Sequence, residues 1–287
     1  MLAAPLWDPI KCQFVGLLTV TDFIDILREF KTTGANVADL ATHSIANILT
    51  ATRIAPPTDS SGSQQQSFGV GAGAAGSRRP FCGADASCSL KQACQQLLSG
   101  HDFLPIVFTE DMRVLACITY TNILEHLVTH FREQRRLFDD SITDLGIGTY
   151  GDAVVTVHGR DSLAHALELM YRHNLSALPV MDEATNKVVG VYSRSDITFL
   201  TKATDAEDAV RNLDLPLEDI LAQHRHDVTT PDALRTCSPS HTLQAIFESF
   251  AQLRFNRLYV VDEAERLLGV VSAKDLVKYF LMDAVSE

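Results

Sequence analysis

The sequence is poor in basic residues, and this shortage excludes two classes of partner. Only 24 lysine and arginine residues stand against 36 aspartate and glutamate residues, so the 287-residue chain carries a formal net charge of −12. General binding of nucleic acid or of an anionic membrane depends on basic side chains that release counterions. We therefore expect no nucleic acid and no membrane as partner, and any phosphate must be held by a few placed arginines.

Cysteines and long apolar runs are also scarce. Six cysteines in 287 residues are too few for a disulfide scaffold, and Cys82, Cys88 and Cys94 do not have a common zinc-site spacing. No apolar run approaches the roughly 18 residues that span a bilayer, and the first eight residues lack the features of a secretory signal. We expect buried or half-buried free thiols, no metal, and a location in the cytoplasm or nucleus.

Four segments share one local pattern, which indicates internal repeats. Each is an apolar run, then a hydroxyl residue and, three positions later, an acidic or amide residue, at 16–22, 116–122, 190–196 and 269–275. A second apolar run precedes each segment. Its Pro5, Pro105 or Pro179 lies seventeen residues before the closing residue in the first three segments, whereas Tyr259 lies sixteen residues before Asp275. Four matched spacings predict four repeats of one structural unit.

Helical periodicity fits the same repeats. Apolar residues at i, i+3, i+4 and i+7 predict a helix before the second apolar run in repeats 2, 3 and 4, with the stripes Leu90-Ala93-Cys94-Leu97, Leu163-Ala166-Leu167-Met170 and Leu243-Ile246-Phe247-Phe250. Ser89, Ser162 and Thr242 stand where N-caps belong. The prediction is an α/β (α+β) fold in which each repeat is strand–helix–strand–strand–helix and adjacent repeats pair into two modules.

The repeats divide the chain unevenly. Repeat 1 is expected at residues 1–50, a low-complexity disordered insertion at 51–80, and repeats 2, 3 and 4 at 81–140, 141–205 and 206–287. Repeat 1 holds only the C-terminal half of the unit. The chain is then a fragment, a shortened isoform, or a half-module completed by another chain. An apolar face near Phe23 and Ile26 is otherwise expected to be exposed.

The repeated Ser/Thr-x-x-Asp pattern has two interpretations. An aspartate at a strand end can accept hydrogen bonds from ribose hydroxyls, while the hydroxyl residue and the helix N-terminus can donate to phosphate. Alternatively, the aspartate is a helix N-terminal charge stabilised by the macrodipole. Four copies at matched positions favour the ligand-binding interpretation.

The repeats resemble cystathionine-β-synthase-type (CBS) domains, and several motifs resemble the γ regulatory subunits of AMP-activated protein kinase. These motifs include Ala3-Ala-Pro-Leu-Trp-Asp8, Leu145-Gly-Ile-Gly-Thr-Tyr150 and Gln223-His-Arg225, and the match runs from residue 3 to about residue 280. The resemblance implies a disk of paired repeats with a truncated first repeat. It also implies a non-catalytic subunit that takes AMP, ADP or ATP as ligand, needs no cofactor, and assembles with a catalytic α and a scaffold β subunit.

The resemblance further implies which residues bind nucleotide. The ribose carboxylates are Asp22, Asp196 and Asp275, and Asn122 marks a site that the family leaves empty. Arg225 and Arg257 are the phosphate contacts implied, and Asn256 and Lys274 stand where the family has a histidine and a serine. The adenine and ribose contacts implied also include Thr19, Thr21, Thr149, Val154, Ser176, Ala177, Ser193, Arg194 and Ser272.

Departures from the family pattern fall mainly on repeats 1 and 2. Leu2, Asp102-Phe103 and Thr121 replace basic or protonatable family residues, and Asp102 would repel a phosphate. In repeat 4, Asn256 replaces a histidine, but Arg257 is kept. We therefore expect nucleotide binding between repeats 3 and 4, and weak or lost binding between repeats 1 and 2.

Two other function classes remain. A scaffold subunit that has lost much of its nucleotide sensing fits the truncated repeat 1 and Asp102-Phe103. An enzyme is disfavoured, because the sequence contains no Gly-x-Ser-x-Gly, His-Glu-x-x-His or kinase signature set.

Overall fold

The computed structural model describes residues 3–34, 81–108, 110–130, 139–197, 200, 203–224 and 232–283. The predicted insertion at 51–80 and the predicted phosphate ligand Arg225 lie outside the described residues. Within these ranges, strands and helices follow one another in the order that the repeats predict, except directly after the last strand of repeat 3.

Repeat 1 contributes a strand hairpin and a helix: β1 (Ala3–Asp8), β2 (Gln13–Thr19) and α1 (Val20–Thr33). Repeat 2 contributes three strands and two helices: β3 (Ala84–Asp85), α2 (Leu90–Leu98), β4 (Leu104–Phe108), β5 (Arg113–Ile118) and α3 (Tyr120–His130). Repeat 3 contributes β6 (Thr149–Tyr150), β7 (Val157–His158), α4 (Leu163–Arg172), β8 (Ala177–Met181) and β9 (Val188–Ser193). The remaining elements belong to repeat 4 and the segment before it: α5 (Ala206–Arg211), α6 (Leu217–His224), β10 (Thr236–Cys237), α7 (Leu243–Leu253), β11 (Arg257–Val261), β12 (Leu267–Ser272) and α8 (Ala273–Lys278).

The strand pairing repeats with the sequence. In repeats 2, 3 and 4 a short first strand runs parallel to the second, and the second runs antiparallel to the third. The register of each antiparallel pair shifts one residue after Pro5, Pro105, Pro179 or Tyr259. This shared irregularity identifies Tyr259 as the counterpart of the three prolines, and the predicted mixed α/β fold of tandem repeats is confirmed.

The predicted caps and apolar stripes are present. The hydroxyls of Ser89, Ser162 and Thr242 each accept a hydrogen bond, at 3.3 Å, from the backbone N–H three residues later. Each therefore satisfies a donor that the first helical turn leaves unpaired. The stripes of α4 and α7 are buried along their whole length, and that of α2 is buried except at its first residue, Leu90.

Helix packing groups repeats that are not adjacent in sequence. One core joins repeats 2 and 4, with Leu97 and Leu124 on one side and Phe250 and Leu276 on the other. A second core joins Ile24 and Leu27 of α1 to repeat 3. The half-repeat 1 thus buries its helix against repeat 3.

The expected exposed face of α1 is only partly present. Phe23 is 46% exposed, as predicted, whereas Ile26 is buried, so the expectation for Ile26 is wrong. Ion pairs hold the same helix to repeat 3 and the segment that follows it, since Arg28 pairs with Glu168 and Lys31 pairs with Asp214.

Adjacent repeats 3 and 4 are joined through strands. β6 is an additional strand of repeat 3 that lies before the parallel pair β7–β8. It pairs antiparallel with β12 of repeat 4 and places Tyr150 opposite Gly269. The backbones of Lys187 and Arg266 form an isolated antiparallel β-bridge between the same two repeats. Repeats 3 and 4 therefore meet along their strands, and the strand ends of both repeats can contribute to one site.

All six cysteines are free thiols, and five are buried or half-buried as predicted. Cys12 is exposed, so the prediction is wrong for this residue. Burial raises the pKa of Cys94 to about 12 and that of Cys237 to about 11. Over the described ranges, no helix has both the length and the apolar character needed to cross a membrane.

Candidate functional site

The repeated hydroxyl–acid motif forms a helix cap in three of the four repeats. The hydroxyl of Thr19 donates to Oδ2 of Asp22 at 2.8 Å, that of Thr119 to Oδ1 of Asn122 at 2.8 Å, and that of Ser272 to Oδ2 of Asp275 at 2.6 Å. The backbone N–H of each hydroxyl residue donates to the same oxygen. The helix N-terminal interpretation is therefore correct for these copies.

The cap leaves part of each aspartate available for a ligand. Within the described residues, both hydrogen bonds to Asp22 and both to Asp275 end on Oδ2. The cap fixes the side-chain rotamer, and the remaining Oδ1 can accept a hydrogen bond from a ribose hydroxyl. Capping and ligand binding are therefore compatible at these two positions.

The third copy of the motif differs from the others. The Ser193 hydroxyl donates to Oδ2 of Asp232 at 2.9 Å, and the Ser195 hydroxyl donates to the same oxygen at 2.6 Å. Residues 194 and 195 form a turn and residues 196 and 197 are not helical, so the helix predicted to open at Asp196 does not begin there. The hydroxyl that would cap this helix is instead committed to a carboxylate 39 residues away.

Three predicted site residues, Ser193, Asn256 and Arg257, contact Asp232, and a fourth, Ser176, contacts Arg257. Asn256 donates from Nδ2 to Oδ1 of Asp232 at 2.9 Å, and Nη2 of Arg257 lies 3.4 Å from the same oxygen. Nη2 of Arg257 also donates to the Ser176 hydroxyl at 3.1 Å. The carboxylate thus bridges the end of β9 in repeat 3 and the start of β11 in repeat 4.

The residues around Asp232 stabilise its carboxylate in the charged form. Burial acts to raise the pKa of Asp232, but the Arg257 guanidinium and the hydrogen bonds from Ser195, Asn256 and Ser193 together lower it below its usual range. Arg257 itself is only 9% exposed. A buried guanidinium requires a paired negative charge, which Asp232 supplies here.

Tyr259 adds an unpaired polar group beside these charges. Its side chain is fully buried, burial raises its pKa, and both Arg257 and Asp232 act electrostatically on it. Its hydroxyl has no hydrogen-bond partner among the residues that the structure describes.

The other predicted residues of repeat 3 lie next to this cluster or further along the strands. Ala177 pairs with Ser193 between β8 and β9, and the backbone carbonyl of Asp196 accepts from the Tyr192 hydroxyl at 3.3 Å. The Arg194 guanidinium lies 3.9 Å from the carboxylate of Asp25, where it links repeat 3 to α1.

Among the described residues, the hydrogen bonds and the ion pair of Asp232 do not involve Thr149, Val154 or Lys274. Thr149 is exposed on β6, and Lys274 is exposed in the first turn of α8. Val154 lines a cleft of about 130 Å³ with Leu267 and Leu268, at the end of β12 opposite to Ser272. Their roles in binding a nucleotide stay predictions.

The corresponding place between repeats 1 and 2 is built differently. Thr19, Thr21 and Asp22 lie at the start of α1, while Asp102, just before β4, is exposed. The Thr121 hydroxyl lies 2.9 Å from that of Thr119, so both belong to the local cap. These side chains supply a negative charge and hydroxyls rather than a buried guanidinium.

Sequence reasoning missed Asp232 and Ser195. Asp232 lies four residues before β10, and the residue four before β7 in repeat 3 is Ala153, so the repeats give no signal for an acid there. Ser195 shares its motif position with Thr21, Thr121 and Lys274, so a hydroxyl stands there in three of the four motifs, and this signal could have found it. Over the described residues, no group of histidine, cysteine, aspartate and glutamate could hold a metal ion.

Comparison with known proteins agrees with this architecture. The CBS domain family matches residues 150–202 and 225–282, which cover most of repeats 3 and 4. The crystal structure of an archaeal protein from Methanocaldococcus jannaschii matches this chain with a TM-score of 0.65 and 17% sequence identity. The match covers 97% of this chain and 87% of the archaeal chain. That likeness shows a shared fold.

Curated relatives extend the similarity to nearly the whole chain. The 5′-AMP-activated protein kinase subunit gamma-3 of Bos taurus is 30% identical over 287 residues, covering 98% of this chain and 51% of that protein. The subunit gamma of Dictyostelium discoideum is 28% identical over 290 residues, covering 99% of this chain and 46% of that protein. The chain thus spans about half the length of these relatives. Most of repeats 3 and 4 thus match the CBS domain, and almost the whole chain is similar to γ subunits of AMP-activated protein kinase.

Proposed function

We propose that this chain is a non-catalytic regulatory subunit that binds AMP, ADP or ATP between repeats 3 and 4. The observation that carries the proposal is the donor set around Asp232, in which Arg257, Asn256, Ser193 and Ser195 already hold one anion. A phosphate offers the same charge and acceptor oxygens to these donors.

The ribose would be held by carboxylates at the strand ends. Asp275 presents its Oδ1 from a capped and therefore fixed side chain, and Asp196 occupies the matching position in repeat 3. Ser272 ends β12, Ala177 begins β8 next to the end of β9, and Ser176 directly precedes Ala177. In this proposal the repeats extend over 1–50, 81–140, 141–205 and 206–287.

Regulation would follow from differential affinity. AMP, ADP and ATP differ in phosphate number, so they make different contacts with Arg257 and with Lys274 at the start of α8. A ligand shifts a conformational equilibrium by the difference of its affinities for the two states. The partners proposed are a kinase catalytic α subunit and a scaffold β subunit, in the cytoplasm or nucleus.

A scaffold role with reduced sensing is the second candidate. Two observations favour it: Asp102 is exposed where repeat 2 would need a cation, and Asp232 already neutralises Arg257. In that case the fold and the partner contacts persist, while nucleotides bind weakly or not at all.

Isothermal titration with AMP and ATP separates the two candidates. We expect binding at about micromolar ligand, and a loss of at least about tenfold in Arg257→Ala, because removing a charge-assisted contact costs about 1.5–3 kcal/mol. Arg266→Ala, which removes an exposed arginine in the β11–β12 turn, is the matched control and should bind like the wild type. No heat in the wild type would favour the scaffold, and steady ATP turnover by the pure chain would contradict a non-catalytic role.

A further inference from the structure

We infer that Asp232 is an internal anion that occupies the phosphate position between repeats 3 and 4, and that a nucleotide must displace it to bind. This inference rests on the proposed function and adds a regulation of the same site.

The first step concerns the contacts of Asp232, whose two carboxylate oxygens both have donors, as the oxygens of a bound anion would. Oδ2 accepts from Ser193 and Ser195, and Oδ1 accepts from Asn256 and lies beside Arg257.

The second step is that these donors come from two repeats. Ser193 ends β9 of repeat 3, while Arg257 begins β11 of repeat 4. The side chains of Arg257 and Asp232 are 10% and 14% exposed, so water does little to screen their attraction. Asp232 thus links the end of β9 in repeat 3 to the start of β11 in repeat 4.

The third step is the contrast with the other repeats. The equivalent hydroxyls of Thr19, Thr119 and Ser272 bond to the acidic or amide residue three positions later. Only in repeat 3, among these four motifs, does the hydroxyl bond to a distant carboxylate. This exception lies beside Arg257, a buried guanidinium that requires a paired negative charge.

The fourth step concerns competition. A phosphate and the Asp232 carboxylate cannot share one guanidinium and two hydroxyls at hydrogen-bond distance, because two anions at close range repel each other. Binding of a phosphate-bearing ligand therefore includes the cost of releasing Asp232. A ligand without phosphate does not have to release it.

The test compares AMP and adenosine binding to the full chain, as wild type and as Asp232→Asn. The variant keeps the shape and one acceptor but removes the competing charge. We expect its AMP affinity to rise about tenfold, which corresponds to about 1.4 kcal/mol, while adenosine affinity changes less than about twofold. Glu263→Gln makes the same change in net charge at an exposed position and should leave both affinities unchanged.

Inorganic phosphate provides a probe that does not depend on nucleotide recognition. In thermal unfolding, phosphate should raise the midpoint of Asp232→Asn more than that of the wild type. Asp232→Ser serves as a second variant if the asparagine chain does not fold. Equal AMP affinities and equal phosphate shifts in wild type and variant would overturn the internal anion while leaving the proposed function standing. Failure of wild type and variant to bind either AMP or adenosine, with a larger phosphate shift in the variant, would overturn the proposed function and retain the anion site.

Discussion

At the scale of single residues, the four hydroxyl–acid motifs differ in where the hydroxyl donates. The three caps could be predicted because donor and acceptor lie three residues apart and the helix start determines their geometry. The contact of Ser193 with Asp232 could not be predicted, because it depends on how β9 and the segment before β10 meet in space. The repeated motif and the family resemblance predicted Ser193 as a nucleotide contact, and the resemblance alone predicted Arg257. Their contact with Asp232 is visible only in the fold.

The ionisation of Asp232 gives a testable dependence of stability on pH. Its pKa is lower in the folded state than the usual value of about 3.9. The stabilisation from the charged form is therefore fully present above the unfolded-state pKa and is lost as the pH falls through the folded-state pKa. Urea unfolding of wild type and Asp232→Asn between neutral and acidic pH should show the difference in free energy shrinking on acidification. A constant difference across that range would contradict the assignment.

At the scale of elements, periodicity predicted which helix faces are buried but not which helices cover them. The stripe of α4 could be predicted from its i, i+3, i+4, i+7 spacing, because burial of one face depends on local sequence. That α1 packs on repeat 3, and α3 on repeat 4, depends on the arrangement of whole repeats. The same limit explains the wrong expectation for Ile26.

The cap of α4 provides an element-scale prediction. Ser162→Ala removes the acceptor for the backbone N–H of His165 and should lower the free energy of unfolding by about 1 kcal/mol. Ser249→Ala, inside α7, removes a hydroxyl that donates to the carbonyl of Ala245 and should be neutral or slightly stabilising. Urea denaturation of both variants measures this, and equal effects would contradict the capping role.

At the scale of the whole molecule, two cores link alternate repeats while strands link repeats 3 and 4. The net charge of −12 leaves little general attraction for a nucleotide, so binding depends on the placed guanidinium of Arg257. The resemblance implied that Arg257 is kept while Asp102 and Thr121 replace basic family residues, so the asymmetry between the two sites could be predicted. The neutralisation of Arg257 by Asp232 could not.

The shared core predicts that repeat 1 stabilises repeat 3. Ile24→Ala removes a buried side chain of α1 and should cost about 2–5 kcal/mol. Hydrogen exchange should then increase in α4 of repeat 3 more than in α3 of repeat 2, because α3 belongs to the other core. Phe23→Ala, at an exposed neighbour, should have a small effect. Equal acceleration in both helices would indicate a single cooperative core.

The central claim, nucleotide binding between repeats 3 and 4, is tested most directly by titrating AMP into wild type, Asp275→Ala and Asp22→Ala. The two variants remove equivalent caps, so a general loss of stability affects both alike. We predict that Asp22→Ala binds AMP like the wild type and that Asp275→Ala binds at least about tenfold more weakly. Strong binding that Asp22→Ala abolishes, and that Asp275→Ala and Asp196→Ala leave unchanged, would contradict the account.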